Sequence, residues 1–279
     1  MNDQSLQKVS PEERFQNAFA KFFLNVNNLS TFYLTTTDLL RVGKDHVEQK
    51  LLQTGKGELE KPEIKQLIGD NPFFQNELIT SFILRATAKR SVRISNQVIG
   101  SSTLVFAHAI LDGILSECCH ISFGLSPSDW FPFVDEQKLK VKDLVNAEKV
   151  IHQKAYDFVC QLDRESIARK LDLLHKVCAP KWKGEKLITE WVKTKQIDDF
   201  DEIRIRAIHQ QAFAQKISEV EEQVLFATLV GISALVLVGK AYGLLEKDKF
   251  DVKKILAKAF IEAQSDFPEI LELFKGLTK

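Results

Sequence analysis

Apolar residues in this chain recur at intervals of three and four, alternation of period two is almost absent, and glycine is scarce. That spacing is the α-helical period, and a helix with one apolar stripe must bury it against another helix. The expected fold class is all-α. The first helix is predicted to follow Ser10-Pro11-Glu12-Glu13, where Ser caps, Pro takes the first helical position and two carboxylates complement the dipole. Further helices are expected over 30–52, 61–70, 72–98, 101–120, 146–162, 165–178, 186–194, 198 onward, 252–264 and 268–276. Between them, Ser126-Pro127-Ser128-Asp129-Trp130-Phe131-Pro132 breaks the pattern with two prolines and is expected to be a loop.

With 279 residues and 44% hydrophobic content, the chain is long enough to bury a substantial core without covalent staples. Lys+Arg and Asp+Glu balance at 38 each, so contact with nucleic acid has to be local rather than a property of the overall field. Cys118, Cys119, Cys160 and Cys178 show no C-x2-C spacing and lie in apolar, helix-like surroundings. They are expected to be reduced core residues. The polar N-terminus lacks the apolar stretch of a signal peptide, which with the thiols points to a cytoplasmic protein.

Residues 224–239 are uncharged, a run just short of the ~20 needed to cross a bilayer. Lys240 at its end can snorkel, and Gly239-x-x-x-Gly243 can bring helices close. The flanking sequence is charged and helical, so the run is expected to be the central buried helix of a bundle, with a membrane-anchored effector spanning 224–245 as the competing reading. Arg85, Lys89 and Arg93 fall at spacing of four, with Arg90 beside them, and share one helical face. That face reads as a solvated surface or a phosphate-facing patch. His108 and His120 are expected to be core or boundary histidines.

There is no glycine-rich phosphate loop, no H-E-x-x-H, no G-x-S-x-G and no Cys/His cluster with ligand spacing. One pattern with chemical content remains, Asp201-Glu202-Ile203-Arg204-Ile205-Arg206-Ala207-Ile208-His209. At about 100° per residue, Ile205, Ile208 and Ala212 form a narrow stripe expected to face the core, with Arg204 and His209 roughly 70° to either side and Arg206 pointing into solvent. Set against a second copy of itself, such a seam gathers two Arg and two His into one cleft.

Arg204-x4-His209, preceded by the acidic run 199–202, by Ser166-x-x-x-Lys170-Leu171-x-x-Leu174 and by the apolar helix at 101–120, resembles the HEPN family of small helical domains. The resemblance covers roughly 100–245. It implies a HEPN-like antiparallel helical bundle with an extra N-terminal helical region, divided as 1–98, 99–245 and 246–279. It also implies a homodimeric, metal-independent endoribonuclease with no cofactor, a defence or toxin effector with an antitoxin or defence-system partner protein. Arg204 and His209 would be catalytic, and Arg206, Arg85, Lys89 and Arg93 would touch single-stranded RNA. Many family ribonucleases carry a polar residue directly after the Arg; here it is Ile205. Members without the motif act as non-catalytic nucleotide-binding or scaffold domains, so a helical interaction module is the rival function. In that rival, Arg204 pairs with Glu202 or an Asp and His209 edges the core.

Overall fold

A computed structural model describes residues 10–69, 77–134, 147–182, 195–209, 217–246 and 250–264. Among these the protein is 91% helical with no strand. Helix α1, Pro11–Glu60, starts as its sequence dictates, the Ser10 hydroxyl accepting the Glu13 amide at 3.1 Å. It then runs unbroken where two helices were expected. The Asn-Asn-Leu-Ser stretch holds no proline, and the Thr36 and Thr37 hydroxyls bond back to the carbonyls of Phe32 and Tyr33 rather than breaking the ladder. Helix α2, Pro62–Ile68, ends at Gly69, whose φ of 56° suits a residue without a Cβ.

Helix α3, Glu77–Leu125, likewise fuses two expected helices. Gly100 does not break it, because a Cβ there would meet Val220, so the glycine answers to packing. The expected loop after α3 is a 3-10 helix, Pro127–Phe133, and its Trp130 is fully buried. The remaining helices are α4 (Ala147–Gln161), α5 (Ile167–Cys178, capped by Ser166), α6 (Lys195–His209), α7 (Ile217–Ala241) and α8 (Val252–Gln264). The helices expected over 186–194 and 268–276 lie outside the described residues.

The chain divides into two compact units, 1–28 with 106–202 and 223–279, and 29–105 with 203–222. Helices α1, α3, α6 and α7 each begin in one unit and end in the other.

The first unit holds the larger core. Phe15 and Phe19 pack on Phe250, with ring centroids at 5.6 and 5.0 Å. Leu111, Leu115, Leu171, Leu174, Val230 and Val238 are buried within the same unit. Gly231 admits the ring of Phe22, and Gly239 admits Leu245 and Phe15. Gly243 is not part of a helix-packing motif; with φ 66° it closes α7 while the Leu244 amide donates to the Gly239 carbonyl at 2.7 Å. Among the described residues two helices are long and apolar enough to cross a membrane, Ser81–Leu125 and Glu219–Ala241, and 44% of the most apolar window in each is buried within the protein.

The four cysteines are free, and Cys118, Cys119 and Cys178 are buried. Burial pushes all three thiols up, Cys178 to about 12.

In the second unit, Leu29, Tyr33, Leu104 and Val220 are buried, and Gly55 lets α1 approach Leu84 of α3. Phe32, Leu39, Val42, Phe82, Ile94 and Val98 remain exposed.

Candidate functional site

The Arg-x4-His pattern occupies the last turns of α6. Two residues set the rotation of this helix: Ile197 and Phe200 are each 1% exposed. Counting on from them at 100° per residue carries Arg204 onto the buried stripe and turns Ile205 away from it. The structure accordingly overturns the expectation that Ile205 faces the core, since it is 47% exposed. Arg204 is half-buried, and its Nε is shielded from solvent without a hydrogen-bond partner. Among the described residues it makes no ion pair, so the expected tie to Glu202 or an Asp is not seen.

A guanidinium that is partly desolvated and uncommitted to a carboxylate is suited to receive an anion. His209 is the last residue of α6, about 7.5 Å along the axis from Arg204. Its side chain lies outside the described residues. Arg206 is exposed on the same helix and engages a neighbour.

Arg85, Lys89, Arg90 and Arg93 are exposed on α3 in the same unit, without an ion pair among the described residues. The structure places this group and the Arg204–His209 segment on different helices. No group of three His, Cys, Asp or Glu able to hold a metal ion occurs among the described residues.

Other polar groups of the first unit form pairs that the sequence did not reveal. Lys170, with its side chain fully buried, donates to Asp112 at 2.6 Å and to the Asp163 carbonyl at 3.4 Å. His108 sits 2.6 Å from Asp201 and stacks on Phe200 at 5.5 Å, while His120 lies 3.2 Å from Asp163. Both histidines are boundary residues as expected, each with a carboxylate beside it. The signal was present for the lysine: Asp112 is one of two carboxylates within the apolar stretch 101–120, and Lys170 stands on the stripe of Ile167, Leu171 and Leu174.

A third cluster ties the 3-10 helix to the end of α7. Asp129 accepts from the Tyr242 hydroxyl at 2.9 Å and from Lys181 at 2.6 Å, while Lys181 lies 4.6 Å from the Tyr242 ring centroid. Burial would raise the Asp129 carboxyl, but the bonds from Lys181, Ser126 and Tyr242 outweigh it and hold the group below its usual value. These contacts fix structure; none leaves an open position for a reacting group.

No family model, curated protein or solved structure matches this chain.

Proposed function

We propose that the protein is a HEPN-like, metal-independent endoribonuclease that works as a homodimer, a defence or toxin effector acting on single-stranded RNA. The reading rests on the exposed side chain of Ile205, flanked in sequence by an arginine without an ion pair among the described residues and by a histidine one turn on. An exposed apolar ridge is the kind of surface a second copy covers. Pairing two ridges would gather both Arg204 and both His209 side chains around one RNA strand.

In that cleft Arg204, always charged and forked, holds the scissile phosphate and offsets the charge that gathers in the transition state. His209 exchanges a proton with the ribose 2′-OH or the leaving oxygen, the role an imidazole fills most often near neutral pH. The 2′ oxygen attacks phosphorus and the 5′ oxygen of the next nucleotide leaves with a proton. The products are a 2′,3′-cyclic phosphate and a 5′-hydroxyl, and the need for a 2′-OH selects RNA over DNA. Arg206, Arg85, Lys89 and Arg93 serve as phosphate contacts away from the scissile bond.

The test is incubation of pure wild-type and His209→Ala protein with mixed RNA in EDTA, followed by end-group analysis. Cleavage by the wild type alone, leaving cyclic phosphate ends, is the expected result. Cleavage that persists in His209→Ala, or that EDTA abolishes, overturns the reading.

The exposed apolar side chains at Phe32, Leu39, Val42 and Phe82 favour a second reading, a non-catalytic interaction module of the same helical class. It predicts no cleavage by the wild type and self-association or partner binding that survives His209→Ala.

A further inference from the structure

The first unit contains a groove between the N-terminal part of α1 and the middle of α3, with a volume of about 610 Å³. The two helices run antiparallel along it. Pro11 faces the position of Gly124, whereas Arg14, one turn further along α1, reaches Glu117 nearly two turns back along α3. Arg14 and Glu117 form a two-pronged ion pair at that end of the groove and neutralise one another.

Along the α1 wall stand Asn17, Lys21 and Asn25, spaced by four so that they share one stripe. Among the described residues none of these three side chains has a hydrogen-bond or ion-pair partner. The rest of the lining is apolar, chiefly Phe22, Ile110 and Ile114. Gly113 forms part of it, and a Cβ built there meets nothing.

We propose that this groove binds a small organic anion, an acidic group carried on an apolar body. With Arg14 and Glu117 cancelling, Lys21 is the uncompensated charge, and the two amides beside it supply further donors. The apolar lining takes the body of the ligand. The volume falls within the roughly 300–1,000 Å³ of ordinary small-molecule sites. Its lining runs from Ala109 to Glu117 on α3 and from Arg14 to Asn25 on α1, about 12 Å and about 16 Å. The one uncompensated charge with two amides beside it favours a single acid-headed ligand over an apolar partner helix. The site is independent of the nuclease reading, because its residues belong to the other unit and its readout is binding.

The acidic group is a carboxylate or a phosphate monoester, and competition separates the two. The experiment titrates the full chain with 1-anilinonaphthalene-8-sulfonate and follows its fluorescence. The neutral N-phenyl-1-naphthylamine, which has the same rings without the acid, serves as control. We expect one saturable site, at least tenfold weaker in Lys21→Glu and in Gly113→Leu, unchanged in Phe82→Ser, and at least tenfold weaker for the neutral probe. Gly113→Leu is the cleaner variant: its side chain enters open space, and leaving glycine favours the helix, so the fold is retained. Displacement by phenyl phosphate but not 4-phenylbutanoate assigns a phosphate monoester, and the reverse assigns a carboxylate. Displacement by neither, equal binding of the neutral probe, or indifference to both groove variants overturns the proposal.

Discussion

The two units handle the same problem, a helix surface with charges on it, in opposite ways. In the first, charges that reach the interior are matched: Lys170 with Asp112, His108 with Asp201, Lys181 with Asp129. In the second, Arg85, Lys89, Arg93 and Arg204 have no ion pair among the described residues, and Phe82, Ile94, Val98 and Ile205 lie exposed. A folded core tolerates a buried charge only when a partner offsets its desolvation. A surface meant to be covered carries apolar side chains and uncommitted donors until something arrives. The contrast sets a unit whose interior charges are paired beside one whose surface cations and apolar side chains are left open.

The harshest way to break the first unit while sparing the second is alkali, because all four cysteines lie in the first. The buried Cys118, Cys119 and Cys178 thiols titrate far above the ordinary value of 9.0, Cys178 at about 12. The unfolded chain therefore loses protons that the folded chain keeps. Stability linked to these groups is complete below pH 9 and falls as pH rises toward the folded values. Each contributes a slope of about 1.4 kcal/mol per pH unit in that window. Thermal unfolding followed by circular dichroism from pH 8 to 11 should show a steep decline. Cys118→Ala/Cys119→Ala/Cys178→Ala should flatten it; an equally steep decline in that variant would mean the thiols are not its source.

A somewhat smaller effect tests the matched charges directly. Removing the partner of a buried ammonium leaves an uncompensated charge, so Asp112→Ala should cost about 3–5 kcal/mol of unfolding free energy. The Asp163 carbonyl at 3.4 Å offers Lys170 only weak compensation. Lys170→Met in the same background should recover much of the loss, since the cavity then holds an apolar chain of similar length. Urea unfolding of both variants checks this. A loss below about 1 kcal/mol would show that water reaches Lys170 and that the first unit is less closed than its side-chain burial indicates.

Helix content and the first cap were legible in the sequence because they are local: Ser10 needs no tertiary information, whereas Ser166, which caps α5, was taken into the helix expected over 165–178. The joins were not. Nothing local distinguishes an interior glycine that packs, such as Gly100 against Val220, from one that ends a helix, such as Gly69. Hence α1 and α3 were each divided in two, and the boundary at 98/99 was placed inside a helix that continues. At the candidate site the residue types were legible and their orientation was not. The wheel drawn on 205, 208 and 212 put Ile205 inside, whereas Ile197 and Phe200, one and two turns earlier, set the rotation and draw Arg204 inward. An apolar residue after a charged one does not reveal which of them the neighbouring helices reach.

The gentlest test uses glycine on each side of the comparison. Gly231 of α7 and Gly43 of α1 are both inside helices, where glycine costs about 0.5–1 kcal/mol relative to alanine. Their surroundings differ. A methyl at 231 would strike the Phe22 ring, while one at 43 would meet nothing within 4 Å. Gly231→Ala should therefore destabilise by about 1–3 kcal/mol, the usual effect of overfilling a packed core. Gly43→Ala should stabilise by about 0.4–1 kcal/mol, because it restricts the unfolded chain without a native clash. Urea midpoints of the two variants should move in opposite directions. If Gly231→Ala were neutral, Phe22 would have room to turn aside and the first unit would be looser than described. If Gly43→Ala were destabilising, something must already approach that helix closely, and the second unit would not be the open surface on which the contrast depends.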